Sequence, residues 1–235
     1  METRCGGDPV EVEQLVETLG EPIARGAEAY LYLIDWLGER AVLKLRLPKR
    51  YRHAALDTRL RWRRTVTEAR AMLAALEAGV PVPKLYYVDP LCSIIVMEYI
   101  NGVKLADLIE AGDPRARSLA RLFGTYAAKL HEAGISHGDL TTSNVLVAGD
   151  NIFLIDFGLA SLKSSEREQA VDVHLYMRSL ESTHPEAVEE MLEAFLEGYR
   201  SVRGADKTER IMELVREIRL MGRYRAERRT AWRQE

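Results

Sequence analysis

Cysteine is scarce in this sequence, and long apolar runs are missing from it. The two cysteines, Cys5 and Cys92, exclude a disulfide framework and a cysteine metal cluster, and Cys92, beside an apolar run, is expected to be a buried thiol. No stretch of about 18 apolar residues occurs, and the first seven residues lack the pattern of a signal peptide. These absences predict a cytoplasmic protein in a reducing compartment, without a membrane segment.

Two short polar motifs follow one another in the middle of the chain. The segment HGDLTTSN at residues 137–144 is followed, across two apolar runs, by DFG at residues 156–158. Either motif alone is common, but this order and spacing are typical of phosphoryl transfer, where one acid holds the attacking hydroxyl and an amide and a second acid bind Mg²⁺. The pattern predicts Asp139 as the catalytic residue and Asn144 and Asp156 as metal ligands.

A site of this kind also needs a cation for the α- and β-phosphates. The apolar run at residues 41–45 predicts a strand that carries one lysine, Lys44. Residues 65–76 have helical periodicity, and Glu68 within them is the candidate partner of Lys44. The alternatives are a lysine that extends from an edge strand into solvent and a solvated helical glutamate.

The other nucleotide contacts are expected from two less specific segments. Residues 24–29 take the place of the loop that covers the phosphates, although a single glycine remains there instead of G-x-G-x-x-G. Residues 93–102 are interpreted as a buried strand running into the hinge that binds adenine, with Met97 either lining that hinge or simply filling the core. The predicted ATP-binding residues of these segments are Ala24, Arg25, Gly26, Ala27, Glu28, Ala29, Met97, Glu98 and Ile100.

Basic residues are concentrated in two segments, although the net charge is only −3. Residues 46–64 contain eight Lys or Arg against the single acid Asp57, and residues 219–233 contain six Arg against Glu227. Both segments also carry Tyr and Trp, a combination that suits RNA, whose phosphates bind arginine and whose bases stack on aromatic rings. The alternative for each is a solvated helix face or a surface that docks on a protein.

The order of the predicted elements divides the chain into two lobes. Residues 1–100 are expected to form an N-lobe of about five antiparallel strands with one main helix, and residues 101–235 a truncated helical C-lobe. The C-lobe begins with a long amphipathic helix that follows Asp113-Pro114 and ends at Gly134. The fold class is therefore α+β.

The part of the chain after Asp156 is short. Only 79 residues follow it, and helical periodicity resumes by residue 170, which leaves little room for a peptide-binding activation segment. The sequence His184-Pro185-Glu186 imitates the A-P-E motif of signalling kinases. We interpret it instead as the start of a helix over residues 187–202, with a capping box between Thr183 and Glu186 and proline in the first turn.

Together these motifs resemble the small atypical kinase of the KEOPS complex, a relative of the RIO kinases. The resemblance extends from about residue 18 to the C-terminus and includes the GRYR sequence at residues 222–225. It implies a minimal bilobal protein-kinase-like fold, binding of ATP with Mg²⁺, autophosphorylation on Ser or Thr, and activity largely as an ATPase. It also implies a function in making threonylcarbamoyladenosine in tRNAs that read codons beginning with A.

The resemblance implies partners and roles as well. The chain would dock on the threonylcarbamoyltransferase subunit and other KEOPS subunits, and would meet tRNA in that complex through the tail Arg223–Arg233. Lys44 would hold the phosphates, Glu68 would orient Lys44, and His137 would pack under the catalytic loop. Gly138 replaces the arginine that binds a phosphorylated activation loop, so regulation is expected through a partner or RNA.

Two alternatives remain open at the level of sequence. Aminoglycoside- and choline-type phosphotransferases share the H-G-D motif but need a larger C-lobe for the acceptor, and a free-standing protein kinase needs a peptide platform. The phosphoryl acceptor is also undetermined. The candidates are water, a partner protein, or a serine of this chain such as Ser161, Ser164 or Ser165.

Overall fold

The N-terminal part of the molecule is built around a five-stranded antiparallel sheet. The computed structural model describes residues 15–49 and 51–231, with side chains up to residue 221. The strands have the order β1-β2-β3-β5-β4 and span Ala24–Arg25 (β1), Ala29–Trp36 (β2), Glu39–Arg46 (β3), Leu85–Asp89 (β4) and Ile94–Glu98 (β5). β3 lies at the centre of the sheet and is buried from Ala41 onward, as expected for an apolar run of β-branched and aliphatic residues.

One long helix, α1, packs against this sheet and spans Ala54–Glu77. The sequence predicted a helix over residues 65–76, so the predicted N-terminus is wrong by eleven residues. The helix extends through the basic segment because arginine, leucine and alanine are good helix formers and because Asp57 binds Arg61 one turn later at 2.8 Å. Residues 54–64 of the basic segment therefore belong to the first half of this helix.

The C-terminal part is mainly helical. Its helices span Leu105–Glu110 (α2), Ala116–Glu132 (α3), Glu166–Thr183 (α4) and Val188–Ala231 (α5), and α5 has non-helical backbone angles at Gly204. Short 3₁₀ turns lie at Thr142–Asn144 and Pro185–Ala187, and a small sheet joins Val103–Lys104 (β6), Val145–Ala148 (β7) and Asn151–Leu154 (β8). The predicted five-stranded N-lobe and helical C-lobe are both confirmed, whereas the boundary after residue 100 stays a prediction.

Aromatic residues and close-packed glycines join α3 to α5. Phe123 packs edge-to-face on Phe195 and Tyr176, with ring centroids 5.5 and 5.3 Å apart. A Cβ on Gly124 would lie 1.9 Å from the Phe195 carbonyl oxygen, so the two helices cross at a separation that only glycine permits. This contact forms the centre of the C-lobe core and supports the loops that follow α3.

The helix caps differ from the prediction at one place. Thr183 ends α4 instead of capping the next helix, and its hydroxyl donates to the Ser179 carbonyl. The capping box lies at the other end of α4, where Ser165 and Glu168 satisfy each other's backbone N–H groups. Pro185 does occupy the first turn after the break, as expected.

Cys92 is buried, as predicted. None of the helices that the structure describes is both long and apolar enough to cross a lipid bilayer.

Candidate functional site

Three of the predicted site residues meet in the cleft between the lobes. The Lys44 ammonium donates to the Glu68 carboxylate at 2.8 Å and to the Asp156 carboxylate at 2.8 Å. Lys44 is only 5% exposed and Glu68 only 1%, so neither is a solvated surface charge. The predicted pairing of Lys44 with Glu68 is present in the structure.

Strand register and helix phase explain this meeting. Lys44 lies on the central strand β3, opposite Leu31 of β2 and Ile95 of β5. Glu68 lies on the buried face of α1, together with Thr65 and Met72. A lysine in the middle of a buried strand can keep its charge only if a carboxylate reaches it, and α1 supplies that carboxylate.

Asp156 begins the loop after β8 with its backbone in the left-handed region, at φ 65°. Its side chain remains 52% exposed while it binds Lys44. Burial of the carboxyl by itself would raise the pKa of Asp156, but the charge and hydrogen bond of Lys44 outweigh burial and lower it. Asp156 is therefore ionised at neutral pH and open toward the cleft.

Asp139 and Asn144 lie together on the loop at residues 137–144, which is the predicted catalytic loop. The Asn144 side-chain amide donates to the Asp139 carboxylate at 2.8 Å and to the Asp139 carbonyl at 2.8 Å. A backbone hydrogen bond of 3.0 Å from Ile155 to the Asn144 carbonyl fixes the loop to the residue before Asp156. The amide oxygen of Asn144 is left as an atom that can bind a cation.

This donor set suits Mg²⁺. The Asp156 carboxylate and the Asn144 amide supply hard oxygen ligands, and Mg²⁺ in nucleotide sites commonly takes one or two such ligands together with phosphate oxygens. Across the described residues no group of three or more His, Cys, Asp and Glu is arranged to hold a metal by itself. A cation held by Asp156 and Asn144 would take its remaining ligands from phosphate oxygens or water.

The His137 ring packs under the catalytic loop, against the segment around Phe157, as expected. Its fully buried ring lies 4.5 Å from the Phe157 ring, and its Nε2 is 3.1 Å from the Ile155 carbonyl oxygen. Gly138, which follows, has φ 82°, and a Cβ on it would lie 2.2 Å from the Leu159 carbonyl oxygen. The backbone of the DFG loop therefore excludes any side chain at this position.

Asp172 on α4 holds the catalytic loop, and the sequence did not reveal this role. Its carboxylate accepts the backbone N–H of His137 at 2.5 Å and that of Gly138 at 2.8 Å. The residue is fully buried. The sequence shows an acid on the buried face of an amphipathic helix, which indicates a buried polar contact. It does not indicate which groups this acid binds.

A buried polar chain continues from Asp172 to α5. His131 lies between the Asp172 carboxylate, 3.2 Å from its Nε2, and the Tyr199 hydroxyl, 2.7 Å from its Nδ1. Burial lowers the pKa of His131, against the opposing effect of Asp172, and burial raises the pKa of Tyr199 to about 12. Arg203 donates to the Tyr199 hydroxyl at 2.9 Å, immediately before the break at Gly204.

The turn predicted to cover the phosphates is exposed and closed by a 2.9 Å backbone hydrogen bond from Gly26 to Ala29. Ala24 and Arg25 form β1 on one side of it, and Ala29 begins β2 on the other. Glu28 forms ion pairs with Arg64 of α1 and, at 3.6 Å, with Arg52. The turn is thus connected to the basic segment, a contact that the sequence did not predict.

The predicted hinge residues lie at the end of β5. Met97 is partly buried and packs against the larger core cluster, which contains residues of α1 as well as of the C-terminal helices. The Glu98 N–H donates to the Lys84 carbonyl at 2.8 Å, and the Ile100 carbonyl accepts the Gly102 N–H at 3.0 Å. These residues therefore lie where the chain leaves the five-stranded sheet and continues toward β6.

The two basic segments differ in what they do within the fold. In the first, four arginines form ion pairs with acids of this chain, and Arg59, Arg63 and the half-exposed Trp62 lie on the surface; the paired residues are Arg46, Arg52, Arg61 and Arg64. Contact of this segment with RNA stays a prediction. In the second segment Arg219 pairs with Glu181 at 2.7 Å, and the side chains of Arg223–Arg233 lie outside the described residues.

Comparison with known proteins places this site in a family. The RIO domain model matches residues 46–173, which is more than half of the chain. The KEOPS complex subunit Bud32 of Pyrococcus abyssi is 44% identical over 210 residues, covering 86% of this chain and 96% of that protein. The chain belongs to the Bud32 family of RIO-domain proteins. Membership of this atypical kinase family supports phosphotransferase activity.

Longer relatives and a solved structure extend the comparison. A probable bifunctional tRNA threonylcarbamoyladenosine biosynthesis protein of Methanosarcina mazei is 43% identical over 206 residues, and this chain spans 36% of its length. The Rio2 kinase of Chaetomium thermophilum, solved as an ADP/Mg²⁺-phosphoaspartate complex, matches with a TM-score of 0.60 at 19% identity, over 87% of this chain and 71% of that one. The structural match confirms the protein-kinase-like fold.

Proposed function

We propose that this chain binds ATP with Mg²⁺ and transfers the γ-phosphoryl group, mainly to water and secondarily to serine or threonine. The observation that carries the proposal is the convergence of Lys44, Glu68 and Asp156 within hydrogen-bonding distance, beside the Asp139–Asn144 pair. Five residues from four separate segments supply a phosphate-binding cation, its orienting acid, two metal ligands and a base. The Rio2 complex with ADP and Mg²⁺ supports the same use of the fold.

In this proposal each residue has a defined task. Lys44 binds the α- and β-phosphates, Glu68 orients Lys44, and Asn144 and Asp156 hold Mg²⁺. Bound Mg²⁺ would neutralise charge on the phosphates and polarise the group being transferred. Asp139, held by the Asn144 amide, orients the attacking hydroxyl or water and accepts its proton.

Nucleotide binding in this scheme requires an exchange of partners. Lys44 binds both Glu68 and Oδ1 of Asp156 in the structure, and we propose that its ammonium leaves Asp156 when that carboxylate takes the cation. We assign the backbone of residues 24–29 to covering the triphosphate, and the connection formed by Met97, Glu98 and Ile100 to the adenine ring. A single glycine in the covering turn gives fewer backbone N–H groups close access to phosphate oxygens.

We further propose that the chain serves tRNA modification in the cytoplasm, as an ATPase subunit of a KEOPS complex that supports threonylcarbamoyladenosine formation. The name and 96% coverage of the Pyrococcus relative support this. So do the names of the probable bifunctional tRNA threonylcarbamoyladenosine biosynthesis proteins, although this chain spans only 36% of the length of the Methanosarcina mazei relative. The partners would be the threonylcarbamoyltransferase subunit, other KEOPS subunits and tRNA, with the tail Arg223–Arg233 as the contact to tRNA.

ATP turnover by the purified chain, alone and with tRNA plus the transferase subunit, tests this proposal. We expect turnover that partner and tRNA stimulate and that Asp139→Ala abolishes. Asp150→Ala is the matched control, because Asp150 is an exposed aspartate on the turn between β7 and β8. Equal phosphorylation of a free peptide or small molecule with and without the partner would contradict the proposal.

A further inference from the structure

Arg46 lies beside the candidate nucleotide site and has no task in the scheme above. It follows Lys44 by two residues on β3 and is only 3% exposed. Its guanidinium donates to Glu68 Oε2 and, at 3.4 Å, to the Thr65 hydroxyl. A Cβ on Gly158 would lie 3.0 Å from Arg46 Nη2, so the same guanidinium reaches the DFG loop.

The strand period explains why two cations reach one carboxylate. Residues two apart on a strand project from the same face, so Lys44 and Arg46 both point at α1. Lys44 binds Oε1 of Glu68 at 2.8 Å, and Arg46 binds the other oxygen, Oε2. Glu68 is therefore held by two independent cations, one on each oxygen.

The charges of this cluster balance before a nucleotide arrives, with Lys44 and Arg46 against Glu68 and Asp156. The balance changes if Asp156 takes Mg²⁺ and Lys44 takes phosphate, as in the proposed function. A buried carboxylate that loses its cation is strongly destabilised. Because Arg46 stays on Oε2, Glu68 would keep a cation of its own while Lys44, still oriented by Oε1, also binds phosphate.

We propose that Arg46 is a positioning residue that anchors Glu68, and with it α1, independently of Lys44. This anchoring frees Lys44 to move from Asp156 to the phosphates of a nucleotide. The first part is a property of the nucleotide-free protein, and the second part rests on the proposed function. The two parts are therefore tested separately.

Hydrogen exchange of the nucleotide-free protein, read by mass spectrometry over residues 65–72, tests the anchoring. Lys44→Met should leave protection within about threefold of wild type, because one charge-assisted bond still holds Glu68. Lys44→Met combined with Arg46→Met should lower protection at least about tenfold, and adding Glu68→Gln should recover it because the buried charge is gone. If Lys44→Met alone loses as much as the double variant, or if Glu68→Gln restores nothing, the anchoring is refuted.

Calorimetric measurement of Mg²⁺·ADP binding tests whether Lys44 moves from Asp156 to the phosphates. Arg46→Met should weaken binding about tenfold, because Lys44 would then be the single cation that neutralises Glu68 while it also binds the phosphates. Arg46→Lys, which keeps a cation, should recover much of the loss. Arg40→Met, an exposed arginine on the same strand, should bind like wild type. Equal affinity of Arg46→Met and wild type would refute this part. A wild-type protein that does not bind Mg²⁺·ADP would refute the proposed function, and the hydrogen-exchange experiment would still test the anchoring of Glu68.

Discussion

Replacement of Gly138 by alanine should damage the protein far more than the loss of one hydrogen atom suggests. The backbone there has φ 82°, and the new Cβ would lie 2.2 Å from the Leu159 carbonyl oxygen and 2.7 Å from its carbon. The left-handed conformation alone costs a non-glycine residue about 1–2 kcal/mol. The collision adds to this, because it can be relieved only by moving the DFG loop or the Gly138 N–H, which donates to Asp172 at 2.8 Å.

Loss of one charge-assisted hydrogen bond costs about 1.5–3 kcal/mol, and the conformational cost adds to it. We therefore expect Gly138→Ala to lower the free energy of unfolding by about 3–5 kcal/mol. Gly149→Ala is the matched control, since Gly149 has φ 62° but a Cβ there would meet nothing within 4 Å. It should cost only the conformational part, about 1–2 kcal/mol. Urea denaturation followed by circular dichroism measures both variants. Equal destabilisation by the two would show that the Leu159 contact does not require glycine at position 138.

Three further changes test other parts of the site. Asp172→Asn should reduce ATP turnover at least about tenfold, because the carboxylate holds the backbone beside Asp139 through two N–H groups, and a steady-state assay on the folded variant measures this. His131→Gln should flatten the stability–pH curve. Burial lowers the pKa of His131, so the unfolded chain takes up a proton as pH falls below about 6.5 while the folded chain does not. The free energy of unfolding of the wild-type protein should therefore fall as pH is lowered, by up to about 1.4 kcal/mol per pH unit, until the lowered pKa is reached. Urea titrations from pH 7 to 5 would detect this. Glu28→Gln should change KM for ATP more than kcat, because it releases the covering turn from Arg64 without touching the reacting groups.

The residues of the proposed site could be selected from the sequence because they belong to motifs with fixed local spacing. Asp139 and Asn144 share one loop, and Lys44 stands out as a charge in a buried strand, so each is visible without the fold. Glu68 needed only one further assumption, the phase of its helix. These are local patterns, and the structure brings all four residues to one cleft.

What the sequence missed depends on contacts between distant elements. Arg46 and Arg64 looked like members of one basic run, and only the packing of α1 on the sheet shows that each faces an acid. The capping box was misplaced for a related reason. Ser165 and Thr183 both precede a glutamate by three residues, and the end of α4, set by tertiary packing, decides which of them caps a helix.

Differences in burial indicate where a partner or RNA could act on this site. The catalytic loop is fixed by fully buried groups, Asp172 and His131, and breaking a buried charged contact costs several kcal/mol. The predicted covering turn is held to the basic segment by ion pairs of Glu28 with Arg52 and Arg64, whose side chains are all partly exposed, so these pairs cost less to break than the buried contacts of Asp172. A ligand that competes for Arg52 or Arg64 could therefore move the turn at small energetic cost, whereas the same ligand could not move the catalytic loop. We therefore expect that a partner or RNA that regulates this site acts where the basic segment meets the turn, and not on the loop at residues 137–144.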